Sequence, residues 1–298
     1  MHEHRNGPRP RLDDVAGERA YTSAVSALSG DSRLSSAPLC ILIASGTFHP
    51  DAGGPPTYLL TLGRELGARG HRIRVVTYGD EPRARRRYPH PVTRVPRGLP
   101  VPSRLALFAR EVYRQGRHAD LLYVNDYGLP AMLANLALRK PVAMKIVGDF
   151  AWEYSVRHNL VPADESIDAF QTRRYGSTVE AVRLLQATYA RRADAVVVPS
   201  PYVGDLVTGW GVDHARIRVV YNAVADPTVG LGEDRATART ALGLDRDAEV
   251  ILAVARLTPW KGIDTLIRAL PTIRATCPNA ILVVVGDGPD RARLQGLA

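Results

Sequence analysis

The stretch AVARLTPWKGIDTLIRAL, residues 253–270, decides the fold. Its first residues close AEVILAVA (248–255), an apolar run that reads as a strand buried in a parallel sheet. RLTPWKG (256–262) is a short basic turn flanked by Arg256 and Lys261. From 263 the apolar residues recur at helical spacing, with Gly262 at the helix start. Strand, turn and helix in that order are the opening of a β-α-β unit. The strand ILVVVG (281–286), the turn DGP and a helix beginning near Asp290 extend it. A helix start exposes unpaired N–H groups and the positive end of the helix dipole. Two cations beside it add charge-assisted hydrogen bonds, so the turn is suited to a pyrophosphate.

The same alternation runs through the chain before this stretch. LCILIAS (39–45) is a continuous apolar run. The loop GTFHPDAGGPP follows, then an amphipathic helix at 57–70 with Leu59, Leu62 and Leu66 on one face and Gly70 at its end. Strands are expected at 71–79, 119–126, 141–149, 194–200 and 216–224, with a short one in VTRVP. Helices are expected at 104–118, 129–140, 177–193 and 201–211. This spacing predicts an α/β fold built on doubly wound parallel sheets. The segment FAWEYSVRHNLVPADESIDAFQTRRYGS, with Trp152, Glu153, Arg157 and His158, reads as an irregular insertion and a candidate acceptor-binding loop.

Three divisions follow. Residues 1–36 lack periodicity and read as a disordered tail, although 16–28 is compatible with a short helix. Residues 37–224 form a first Rossmann-like domain, and 225–298 a linker and the start of a second. Two parallel strands cannot bury both of their own faces, so this second domain reads as incomplete.

Composition narrows the function classes. Aromatics make up 6% of the 298 residues, so the core is mostly Ala, Val, Leu and Ile. The net charge of +9 favours anionic ligands or an anionic membrane surface, or reflects a general arginine bias. Arg83, Arg85, Arg86 and Arg87 read either as a lipid- or acceptor-phosphate contact or as solvated surface. No basic run is interleaved with stacking aromatics, so nucleic acid is not an expected partner. Cys40 and Cys277 have neither metal nor disulfide spacing. No apolar run approaches membrane-spanning length and no signal peptide is evident, so a cytoplasmic protein is expected, with peripheral contact at the inner membrane face.

Ligands of doubly wound sheets gather at strand carboxyl ends. Asn125, Asp126, Lys145 and Asp149 lie there, either facing a cleft or capping helices. Gly53 and Gly54 permit close approach of a phosphate or sugar, or simply form a tight turn. A nicotinamide-dependent oxidoreductase is disfavoured because no G-x-G-x-x-G is present.

The segments GTFHPDAGGPPTYLLTLGRELGARGHRIRVVT, AVARLTPWKGIDTLIRAL and ILVVVGDGP resemble the family 4 (group 1) retaining glycosyltransferases. The resemblance covers 38–298 and implies the GT-B architecture, two Rossmann-like domains facing across a cleft. It implies that Arg256 and Lys261 hold the donor diphosphate, that Gly53 and Gly54 lie against it, and that Gly286 and Gly288 flank the nucleotide. The donor would be a nucleotide-diphosphate sugar and the acceptor a glycan or a lipid-linked acceptor, with no catalytic metal and no cofactor. Where the family often places a histidine, this chain has Val147-Gly148-Asp149 and Asn125-Asp126. Asp149 and Asp126 therefore stand as catalytic-side candidates. The family's E-x7-E segment is expected beyond Ala298, which predicts a carboxy-terminally truncated chain, inactive alone. The alternative is a non-enzymatic nucleotide-sugar-binding module working with a partner chain.

Overall fold

The computed structural model describes residues 37–51, 53–80, 88–125, 128–162, 164–223 and 234–298. The tail at 1–36, the arginines at 83 and 85–87, Asp126 and residues 224–233 of the linker lie outside the described residues. Leu39–Ala298 cluster as one compact unit.

Seven strands form one wholly parallel sheet. In chain order they are β1 (Cys40–Ser45), β2 (Arg72–Tyr78), β3 (Val92–Val95), β4 (Leu121–Asn125), β5 (Val142–Lys145), β6 (Ala195–Val198) and β7 (Ile217–Val219). Their spatial order is β3-β2-β1-β4-β5-β6-β7. β1 pairs with β2 from Cys40↔Arg72 and with β4 from Ile41↔Leu121. The chain winds outward from β1 to β3, then returns to β4 and winds the other way. The order therefore reverses between β1 and β4, where open α/β sheets place their ligand crevice.

The uninterrupted apolar character of β1 follows from burial on both faces. Alternate side chains of a strand point to opposite sides. Leu42 and Ala44 join Phe108, Val112, Ala131 and Met144 in one core, beneath helices Val101–Gly116 and Leu129–Leu138. Ile41 and Ile43 join Phe48, Leu59 and Tyr123 in another, beneath helix Gly54–Ala68.

The segment expected to be irregular is largely helical. Phe150–Arg157 and Ile167–Thr172 are helices, each opened by a side-chain cap. Asp149 accepts from Trp152 N–H and Ser166 from Ala169 N–H, satisfying amides a helix start leaves bare. Ala151, Trp152, Val156 and Phe170 form their own small core. The strand expected at 141–149 ends at Lys145, because Val147-Gly148 turns the chain toward the Asp149 cap.

Beyond the linker, β8 (Glu249–Val254) and β9 (Ala280–Val285) pair in parallel, connected by helix Ile263–Thr276. That helix and helix Arg291–Leu297 cover one face through Ile263, Leu266, Ile267 and Leu294. On the other face Leu252, Val254 and Val285 are 62%, 71% and 50% exposed, as the two-strand argument requires. No helix among the described residues is long and apolar enough to cross a membrane.

Candidate functional site

The turn after β8 is held by the turn after β9, backbone to backbone. Ala255 N–H donates to Val285 O at 3.1 Å, Leu257 N–H to Asp287 O at 3.0 Å, and Asp290 N–H to Leu257 O at 3.2 Å. A Cβ on Gly286, whose φ is +157°, would lie 1.8 Å from Ala255 O. On Gly288 it would lie 2.2 Å from Leu257 O. These two glycines are needed for the crossing of the turns whether or not a nucleotide lies beside them.

Bracing the backbone fixes what the side chains present. Leu257 and Thr258 are buried, while Arg256 and Lys261 are exposed on either side. Among the described residues, neither cation donates a side-chain hydrogen bond or forms a salt bridge. Pro259–Lys261 is a single 3-10 turn that ends at Gly262, whose φ is +65°. Gly262 also starts helix Ile263–Thr276, and no side chain caps that start. Its first amides are therefore left for a ligand or water.

Facing this turn is the helix Phe150–Arg157. The rings of Trp152 and Trp260 meet edge to face with centroids 6.0 Å apart. Glu153 lies in the field of Lys261 and Arg256. It is half-exposed, with Arg157 3.9 Å away. Loss of water in the cleft nonetheless raises its carboxyl above the usual range, opposed by Arg157 and reinforced by the negative charge of Asp149. Sequence reasoning placed Glu153 only within a candidate acceptor loop. Its one further signal there was the Glu153-Arg157 spacing of a helix face.

Asp149 is buried and fully engaged. Oδ1 accepts from Trp152 N–H at 3.0 Å and Gln186 Nε2 at 3.1 Å, and Oδ2 accepts from Gln171 Nε2 at 2.7 Å. Its carboxylate thereby orients the helix that carries Glu153. Asp126 lies outside the described residues. Asn125 and Lys145 are both 1% exposed. Lys145 Nζ donates to Asn222 Oδ1 at 2.9 Å and sits 5.0 Å from the Tyr58 ring centroid, tying β5 to its neighbours.

The loop after β1 reaches the same end of the sheet. Tyr88 Oη and Arg94 Nη2 donate to His49 O at 2.7 and 2.6 Å, and Arg97 pairs with Asp51. Gly53, at φ +134°, caps helix Gly54–Ala68 without a side-chain bond. Pro55 and Pro56 have no N–H, which leaves Gly53 and Gly54 as the amides at this helix start. A Cβ on Gly54 meets nothing within 4 Å, so that approach is open.

Residues 52–226, more than half of the chain, match the family model described as Glycosyltransferase Family 4. The chain belongs to this glycosyltransferase family. A second model, Glycosyl transferases group 1, matches 234–298. A D-inositol 3-phosphate glycosyltransferase of Nocardioides sp. is 28% identical over 265 residues, covering 82% of this chain and 55% of that protein. A GDP-mannose-dependent alpha-(1-6)-phosphatidylinositol monomannoside mannosyltransferase of Mycolicibacterium smegmatis is 29% identical over 269 residues, covering 87% and 63%. The chain thus spans about three fifths of the length of these relatives. The crystal structure of Anabaena Alr3699/HepE in complex with UDP and glucose superposes with a TM-score of 0.61 at 21% identity, covering 87% of this chain and 64% of that one. That likeness shows the fold, and the α/β architecture of this family member is GT-B.

Proposed function

We propose that the chain carries part of a glycosyltransferase that moves a sugar from a nucleotide-diphosphate sugar to a glycan or lipid-linked acceptor, with retention at the anomeric carbon. The observation that carries this reading is the pair Arg256 and Lys261: exposed, without a hydrogen-bonded partner among the described residues, and fixed by the braced turns. Such cations bind a diphosphate and stabilise the charge that leaves with it. The N–H groups opening helix Ile263–Thr276 and those of Gly53 and Gly54 add neutral donors. Together they supply positive potential without calling on a divalent cation.

Glu153 lies in the field of the two cations, on the helix that faces their turn. Asp149 acts as a positioning residue in this reading, since its carboxylate is already taken by three donors. The relatives support the substrate classes: one is named for GDP-mannose and a phosphatidylinositol-linked acceptor, another for inositol 3-phosphate.

A thermal-shift panel of UDP, GDP and ADP sugars tests the donor class, because a ligand bound only by the folded state raises apparent stability. One nucleoside diphosphate family is expected to raise Tm by several degrees. Nucleotide release in the presence of candidate acceptors then tests transfer. No shift with any nucleotide sugar contradicts the donor assignment.

A further inference from the structure

The helix Leu129–Leu138, LPAMLANLAL, contains no charged residue. Its one amide side chain, Asn135, is spent on the backbone: it donates to Lys140 O and accepts from Lys140 N–H, both at 2.9 Å. A helix that is apolar all round is ordinarily buried all round. Here Pro130, Ala131, Met132 and Ala134 are buried against the sheet, but Leu133 and Leu136 are 48% and 55% exposed on the other side. At 10 residues the helix is too short to cross a bilayer, which takes roughly 20.

The flanking helices continue the same surface. Val101–Gly116, Leu129–Leu138 and Ser177–Arg191 cover one core on one face of the sheet, through Val112, Ala131 and Tyr189. They lie side by side: a Cβ on Gly116 would meet Leu138 Cδ1 at 2.6 Å, and one on Gly128 would meet Tyr189 Cδ2 at 3.3 Å. A helix turns about 100° per residue, so the side opposite its buried residues faces outward. Arg110, with Tyr113 beside it, lies opposite Phe108 and Val112. Leu184 lies opposite Gln186 and Ala190 and is 64% exposed. Tyr113, Leu133, Leu136 and Leu184 therefore share the outer surface of one three-helix layer.

The free charge on this layer is positive. Arg110, Arg117 and Arg139 are exposed and form no ion pair among the described residues. Arg117 and Arg139 each follow a helix end, where a cation also offsets the dipole. Arg110 sits in mid-helix and has no such reason. The neighbouring carboxylates are taken: Glu111 by Arg114 at 2.7 Å, Asp120 by Cys40 N–H at 2.8 Å and Asp194 by Val142 N–H at 2.8 Å.

We infer that this helix layer docks on an anionic membrane surface, its leucines entering the lipid interface and its arginines meeting lipid phosphates. Leucine and tyrosine side chains bordered by arginines, with few free carboxylates, are the composition of an element that lies in that interface. Charge complementarity selects this occupant, because a second copy of the chain would set the same arginines against one another. The inference stands apart from the Arg256–Lys261 turn and does not depend on the donor.

The full chain is sedimented with vesicles of equal parts phosphatidylglycerol and phosphatidylcholine, and with vesicles of phosphatidylcholine alone. Binding to the anionic vesicles, weaker on the neutral ones and at high salt, is expected. Leu133→Ser with Leu136→Ser is expected to weaken the partitioning at least about tenfold. Arg110→Gln with Arg139→Gln is expected to do the same, and to flatten the salt dependence. These side chains are exposed, so urea denaturation should show both variants as stable as the parent. Arg268→Gln with Arg274→Gln removes the same charge from the exposed side of helix Ile263–Thr276 and is expected to change binding less than about twofold. No binding to anionic vesicles overturns the inference, as does binding that the leucine pair leaves unchanged or that the control pair weakens equally. A concentration-dependent dimer lost in the leucine variant, in place of vesicle binding, would assign the layer to a second copy and also overturn it.

Discussion

Two strand-to-helix turns, after β1 and after β8, look alike in the sequence and are built differently. The first is pinned by side chains: Tyr88 and Arg94 hold His49 O, and Arg97 holds Asp51. Its prolines remove amides from the helix start, so it offers shape and two glycine N–H groups. The second is pinned by the backbone of its neighbour, through the close approaches at Gly286 and Gly288. Because backbone does the bracing, Arg256 and Lys261 are left to face the cleft. The difference teaches that, on the proposed function, a glycine-rich loop and a basic loop would divide the work, one admitting the ligand and the other neutralising it.

Substitutions at the glycines separate the turns most strongly. Gly286→Ala drives a methyl into Ala255 O and is expected to destabilise the second turn by about 3 kcal/mol or more, with loss of nucleotide binding. Urea denaturation and calorimetry check this. Removing the Arg97–Asp51 pin with Arg97→Ala is expected to cost about 1 kcal/mol in urea denaturation, since the pair is partly exposed. Gly54→Ala meets open space and is expected to change stability by no more than about 0.5 kcal/mol, so a large loss there would break the contrast.

Glu153→Gln probes the cations from across the cleft. Removing the carboxylate is expected to tighten pyrophosphate binding about two- to fivefold at pH 7.5. The pH sign follows from the raised folded-state pKa. The folded protein binds this proton more tightly than the unfolded chain. Stability from Glu153 is therefore lost as pH rises from the ordinary glutamate range through the raised value. The substitution is expected to raise Tm slightly at pH 7.5 and to leave it unchanged at pH 4.

Much of the fold was legible because strand burial leaves a strong pattern. The run at 39–45 became β1 at Cys40–Ser45, and the helix expected from 263 is Ile263–Thr276. The helices after Asp149 were not legible, because at 8 and 6 residues they are too short for a helical period to stand out. Their determinants are caps, Asp149 and Ser166, whose role depends on where β5 stops. Within the site, the cations at 256 and 261 could be read from type and spacing. The bracing role of Gly286 and Gly288 could not, because it depends on a tertiary crossing between turns about thirty residues apart. Glu153 was obscured for the same reason: its neighbours across the cleft come from the other sheet's turn.

The central claim is that Arg256 and Lys261 grip a diphosphate. Calorimetric titration of pyrophosphate, UDP and GDP into the chain and into its Arg256→Ala, Lys261→Ala variant tests it most directly, with hydrogen exchange confirming that β8 and β9 remain folded. The account predicts an affinity loss on the order of 100-fold for whichever nucleotide binds, as expected for two charge-assisted contacts. Unchanged affinity in a folded variant would contradict it.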